Sequence, residues 1–278
     1  MTGRDSMANR LWALLAVVLL GTLVIASTQA PEFLPPPDRA NAGLGPFEAP
    51  PLGTDLRGIP LVMYALQGAQ VVTMPAVLAG VLVLLLSTVA GLSRCAGFSR
   101  LDTVIQSLSE VVGALPRLVV VLVVALAMPD DMRSLYPVAI TWALLAAPGA
   151  MDEAAATAGR LGGDHFVEAL RAHGFSAPRV YLYHIVWLNL RAVIVRQGAE
   201  VMMQVVFLEI ALSYLAASQA EPSFTHADST HSWATLLYQG YTYLVADTPM
   251  QHALILGLAL IAAVAMSAQA LRLAARGR

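Results

Sequence analysis

Lysine is absent from this sequence; all 16 basic residues are arginine. GC-rich coding is explanation enough, but the absence still has chemical consequences. A P-loop sets a lysine on the nucleotide phosphates, and Schiff-base catalysis needs a lysine amine. Neither is open to this chain. Cys95 is the only cysteine, which excludes an internal disulfide and a cysteine-based metal cluster. Charge is scarce as well: only 12% of the 278 residues are charged, whereas soluble domains carry about a quarter. With 58% hydrophobic residues and a mean hydropathy of +0.68, the chain reads as an all-α polytopic membrane protein. A net charge of −2 gives no support to nucleic-acid binding, which rests on positive charge.

What is present is a series of apolar runs: Leu11–Ala26, Val71–Leu92, Thr103–Met128 (interrupted by Glu110, Pro116 and Arg117), Ser134–Met151, Leu182–Ala217 and Gln251–Leu273. About twenty apolar residues cross a hydrocarbon core, so six transmembrane helices are expected. The first run could be a signal peptide. Pro31 just beyond a cut after Ala30 disfavours cleavage, so an uncleaved anchor is the expectation. Arginine placement sets the direction. With the N-terminus in the cytoplasm, ten arginines fall inside and only Arg39, Arg57 and Arg133 outside. Both termini are then cytoplasmic. Pro31–Pro51, with its Pro35–Pro37 triplet, resists helix and reads as an outer extended segment, and Ser218–Asp247 as a second outer loop.

The stretch FVEALRAHGFSAPRVYLYH, Phe166–His184, interrupts this oily chain with charge. Asp164 can cap a short helix and Gly174 can end it. Phe166, Leu170 and His173 recur at i, i+4, i+7, one helical stripe. Ser176 offers a second cap, and Pro178 fits a first turn. The pattern suits a membrane-surface connector, and equally a docking face for a partner.

The same stretch resembles the EAA loop of ABC-transporter permeases. A Glu-Ala-Ala triplet followed after three residues by Gly has its counterpart in Glu168-Ala169-Leu170 and Gly174, with His184-Ile185 ten residues on. Gly53-Thr54-Asp55, Gly58 and Gly68-Ala69 resemble the segment before the second span of the dipeptide/oligopeptide/nickel branch. Glu110 followed by Pro116, the stretch Phe207–Ala216 and Ser232-Trp233 resemble its later elements, so the likeness runs from about Leu52 to the C-terminus. Departures include Leu170 in the triplet, Trp187-Leu188 after the His-Ile, Gly58-Ile59-Pro60, and Ala234 after Ser-Trp; they leave the substrate unassigned. The resemblance implies a type I importer permease. Residues 1–52 would be an anchor helix and outer segment, and 53–278 the transmembrane domain, with the EAA-like coupling loop at about 152–184 between spans 4 and 5. It implies ABC ATPase subunits docking on Phe166, Glu168, Ala169, Leu170, His173 and Gly174, and a second permease subunit in a heterodimer. It also implies an extracytoplasmic solute-binding protein, a bacterial inner-membrane location among lipid, and import of peptides or a similar small solute. ATP would be bound by the partners, with no cofactor and no enzymatic site in this chain.

Charges at membrane depth are functional hypotheses by default. Glu110 and Arg117, seven apart, would share a helix face, either lining the translocation path or pairing structurally. Glu209 joins them as a candidate, with Glu200 nearby. Arg191 and Arg196 would snorkel at the boundary. His226, Asp228 and His231 are of metal-ligand type, but their spacing matches no compact site, so no metal is expected. A non-transporting scaffold or sensor with the permease fold, and an intramembrane enzyme, stand as alternatives.

Overall fold

Helices whose contact faces are built of small residues can bring their backbones together, and α2, Leu61–Ala96, is built that way. Ala69, Ala76, Ala79, Gly80, Ala90 and Gly91 are all buried along it. Its 36 residues give a length of about 54 Å, well beyond a hydrocarbon core of about 30 Å. The computed structural model describes residues 3–129, 132–163, 166–218, 231–246 and 251–276. Among them the elements are helices, and β pairing is limited to one isolated antiparallel bridge, Thr54 to Pro60. The remaining elements are α1 (Gly3–Thr28), a 3-10 turn (Arg39–Asn41) inside the segment expected to be extended, α3 (Ser99–Gly113), α4 (Arg117–Ala127), α5 (Leu135–Gly163), α6 (Phe166–Ala172), a π-helical segment (Arg179–Leu190), α7 (Arg191–Ser218), α8 (Trp233–Val245) and α9 (Gln251–Arg276).

α5 and α7 pack against α2 as a central trio, α9 closes on α7, and α1 lies across α9 and α2. α2 and α7 approach backbone to backbone. A Cβ on Gly80 would stand 2.8 Å from the carbonyl oxygen of Gly198, and one on Gly198 equally close to that of Gly80. Leu190 reaches Gly91, so the two helices run antiparallel. Trp142 Nε1 donates to Gln204 Oε1 at 3.0 Å, and Arg196 and Gln197 both bond Glu153, which makes α5 antiparallel to α7 too. The shared core includes Val72, Val83, Val138, Leu145, Val205 and Leu212.

Four helical stretches are long and apolar enough to cross a membrane: Asn9–Thr28, Leu61–Ala96, Arg179–Ala216 and Gln251–Ala275. The pair α3 and α4 makes a fifth if it is one bent span. α5 is long enough, but Pro137, Pro148, Gly149, Asp152 and Glu153 dilute its hydropathy. The chain is therefore an all-helical protein with four to five candidate spans.

Two expectations need correction. Thr103–Met128 is not one helix: α3 and α4 meet at 78°. Gly113 is a poor helix former, and Pro116 lacks an N–H and biases Leu115 away from helix. Glu110 and Arg117 therefore stand on different helices and share no face. Second, Ser218–Asp247 is not simply loop, because it contains α8, 13 residues long and too short to span. Asp164, His226 and Asp228 lie outside the described residues.

Replacing Gly198 by valine drives a branched side chain at the Gly80 carbonyl. Overpacking of this kind costs about 1–3 kcal/mol. A purified Gly198→Val protein is expected to show a lowered thermal midpoint in detergent, with Gly198→Ala in between. An unchanged midpoint in both would mean that α2 and α7 do not touch there.

Candidate functional site

A buried carboxylate must find donors in the protein, and Asp55 finds four. Its Oδ1 accepts from the backbone N–H groups of Arg57 and Ile59, both at 2.8 Å. Its Oδ2 accepts from Arg57 Nε at 3.1 Å and from Tyr64 Oη at 2.7 Å. Arg57 Nη2 also donates to Tyr64 Oη. Asp55 is 1% exposed and Tyr64 fully buried. Burial works to lower the pKa of Arg57, but Tyr64 and Asp55 outweigh it and hold it above its ordinary value. Burial, reinforced by the Asp55 charge, pushes the Tyr243 phenol up, which brings α8 beside this hub. Thr54 Oγ1 donates to Asn41 O at 2.5 Å and accepts from Leu44 N at 3.0 Å. The Gly-Thr-Asp segment is thus a folded turn that ties the outer segment to the start of α2.

The stretches around Gly68, Glu209 and Trp233, singled out by resemblance, converge at this end. Gly68 faces the indole of Trp233, leaving no room for a Cβ, and Trp233 Nε1 donates to Ala65 O at 3.1 Å. Tyr64 meets His231 edge to face, with centroids 5.1 Å apart. Glu209 on α7 is fully buried. Ser213 Oγ donates to its Oε1 at 2.8 Å. Ser232 is close enough to interact with the carboxylate, but no well-formed bond reaches Oε2. Glu209 is therefore enclosed by this chain's own helices. Tyr64 and Arg57 are the residues sequence reasoning missed; the signal was an arginine two residues after a buried-type Asp, with Tyr64 one helical turn into α2.

At the other end, α6 closes as expected at Gly174. The N–H of Gly174 bonds Arg171 O at 2.9 Å and that of Phe175 bonds Leu170 O at 3.3 Å, the paired bonds of a Schellman cap. Gly174 has φ +79°, a left-handed conformation that glycine adopts without a Cβ penalty. Phe175 and Leu170 pack together on a small core of Val167, Val180, Ile185 and Ile194 with Ala154 and Ala158. This corrects the expected stripe. Leu170 turns inward with Val167, so Phe166, Leu170 and His173 do not form one free face. The outward residues are Glu168, Ala169, Arg171, Ala172 and His173, and His173 Nδ1 lies 2.8 Å from Ala169 O. Arg171 Nη2 donates to Tyr181 Oη at 2.7 Å, and Arg179 sits over the Phe175 ring at 4.7 Å. The chain then runs through the π segment into α7, Arg179 to Ala216 forming one apolar stretch. π-helical turns are rare and gather at functional sites.

Glu110 and Arg117 are both exposed on this chain. Glu110 lines a cleft between α2, α3 and α5, and Arg117 opens α4. Neither Arg191 nor Arg196 hangs free. Arg191 lies over Trp187 at 5.4 Å, and Arg196 pairs with Glu153 across α5 and α7. Among the described residues no group of three His, Cys, Asp or Glu could hold a metal. No family model matches the chain, and no curated protein does.

Asp55→Ala would leave its buried donors without an acceptor. The expected loss is at least the value of one charged hydrogen bond, about 1.5–3 kcal/mol. It should appear as a lower unfolding midpoint together with faster proteolysis between residues 31 and 60. A variant as stable and as protease-resistant as the parent would show that Asp55 holds nothing.

Proposed function

We propose that this chain is the permease subunit of an ATP-driven ABC transporter of the dipeptide/oligopeptide/nickel type, importing peptides or a similar small solute. One observation carries the reading. A short, outward-facing helix, α6, is fastened by a glycine cap and a compact apolar core to a continuous helical stretch that reaches the buried Glu209. A chain without lysine has no P-loop of its own, so a transporter built on it borrows ATPase subunits, and α6 is the handle they would grip. The outward residues Glu168, Ala169 and His173 meet the ATPase, while Leu170 and Gly174 hold the handle in shape. Closure of the ATPases on ATP pushes α6, and α7 carries the motion along the bundle.

In this reading six segments cross the bacterial inner membrane, with α5 and the bent α3–α4 pair counted as spans and both termini in the cytoplasm. Chain direction supports it: α2 and α5 run one way and α7 the other. The exposed apolar residues Leu108, Val111, Leu118 and Leu122 of α3 and α4 suit a second permease subunit or lipid. The Asp55 end, with α8, is where an extracytoplasmic solute-binding protein would deliver cargo.

Topology is checked by cysteine labelling in a Cys95→Ala background. Phe47→Cys, on the outer segment, is expected to react with a membrane-impermeant thiol reagent in intact cells, and Ser176→Cys only after the membrane is opened. Labelling of Ser176→Cys from outside would reject the orientation and the ATPase handle with it.

Coupling is checked with Gly174→Val and Glu168→Ala. Valine at φ +79° is strained, so Gly174→Val misplaces α6 while insertion into the membrane is kept. Glu168→Ala removes polar contacts at the docking surface. Both are expected to retain fewer ATPase subunits on purification and to transport less. Normal retention and normal transport in both would return the loop to a plain surface connector.

A further inference from the structure

Where α7 meets the start of α8, one carboxyl group lies sealed in the protein with its hydrogen bonding incomplete. Glu209 is fully buried, and among the described residues no ion pair reaches it. Ser213 Oγ donates to its Oε1 at 2.8 Å, whereas its Oε2 is buried without a hydrogen-bond partner. An unpaired buried carboxylate is so costly that it takes up a proton instead. The side chain beside it is unmatched as well. Ser232 is fully buried and its Oγ has no partner, although it stands close enough to interact with the carboxylate. Ser232 occupies the N-cap position of α8, where a serine hydroxyl ordinarily accepts from the first turn of its own helix. Here it makes no such bond. Two orphan oxygens, one from each element, are thus neighbours.

We infer that Glu209 is a proton-binding site and that the bound proton is a latch: carried on Oε2 and donated to Ser232 Oγ, it fastens the start of α8 to α7. The Ser232 hydroxyl donating to an ionised Oε2 would supply a bond, but two neutral hydroxyls leave the charge unanswered where no cation stands. When the proton leaves for solvent, a bare charge remains between the two helices, and the start of α8 moves off to admit water. The docked state holds the proton and the released state gives it up, so docking weakens as pH rises. Other titratable and charged groups stand on the elements packed around α7. Tyr64 on α2 is tied to Asp55 and Arg57. His231, before α8, lies edge-on to Tyr64, and Tyr238 of α8 lies on Tyr214 of α7. His252 of α9 lies beside Gly53, and Arg133 precedes α5. Histidine titrates near neutral pH by itself, so His231 and His252 must be separated from Glu209 by substitution. The latch needs only the packing of α8 on α7 and does not depend on the transport reading.

The test uses the purified full-length chain in detergent. The infrared spectrum of the parent minus that of Glu209→Gln, at neutral pH, is expected to show the carbonyl stretch of a protonated carboxylic acid. In Ser232→Ala that band is expected at higher frequency, because the acid O–H has lost its acceptor. Amide hydrogen exchange over Trp233–Val245 reads the latch itself. Glutamine keeps a donor for Ser232 at every pH, so the parent and Glu209→Gln are compared at the same pH, which removes the intrinsic pH dependence of exchange. They are expected to exchange alike in acid, and the parent about fivefold or more faster in alkali, the worth of one buried hydrogen bond. His231→Gln and His252→Gln are expected to keep that rise. Absence of the band, a band unshifted in Ser232→Ala, a rate ratio flat across pH, or a rise abolished in either histidine variant would overturn the inference. Should Glu209→Gln fail to fold, the parent minus Ser232→Ala spectrum decides alone: a shifted acid band upholds the latch and its absence rejects it.

Discussion

The contact between Gly80 and Gly198 sets how closely α2 and α7 stand, and α5 packs on both. With no Cβ on either side, α2 and α7 approach until each glycine faces the other's carbonyl. Lipid tails are as apolar as leucine, so helices in a membrane are held by close packing and by polar bonds between them. Once these two backbones are fixed, α5 can place Glu153 against Arg196 and Gln197 and Trp142 against Gln204. The same frame sets Gly68 under Trp233, which anchors α8 on the start of α2.

Besides the bonds along the α5–α7 seam, polar groups gather at two ends of this frame. At one end Asp55, Arg57 and Tyr64 satisfy one another and tie a proline-rich segment to α2. At the other, α6, Gly174 and the aromatic and arginine pairs around Phe175 and Tyr181 form a small folded unit of their own. α7, entered through the π segment, joins the two. The connection between the two ends is a single helical stretch, Arg179–Ala216.

Much of the helical layout was legible because it rests on local chemistry. Runs of apolar residues marked α1, α2, α7 and α9, and the αL preference of glycine marked the end of α6 at Gly174. Other features depend on contacts that no local pattern records. Periodicity placed Leu170 on an outward stripe, yet Val167 three residues before it gives α6 a second apolar face, and burial chose that face. Seven-residue spacing put Glu110 and Arg117 together only for an unbroken helix, and Gly113 with Pro116 broke it. α8 was hidden because thirteen residues rich in Tyr and Leu do not stand out beside transmembrane runs. Arg196 read as a snorkelling side chain because its partner, Glu153, is 43 positions away.

The π winding of Arg179–Leu190 has a geometric consequence of its own. Where π winding passes into α winding, each residue added to or taken from the wider turns rotates the chain before it relative to the chain after it, by about 100° per α-helical residue. α6 and its outward residues lie just before that junction, and Glu209 lies beyond it. The segment therefore acts as an indexing collar: its length in residues decides which compass bearing α6 presents, and the packing of Val180 and Ile185 on Ala154 and Ala158 of α5 holds it there. A single-residue insertion at Leu188 would take Val180 and Ile185 out of register with Ala154 and Ala158 of α5, so α6 could not keep both its bearing and its core.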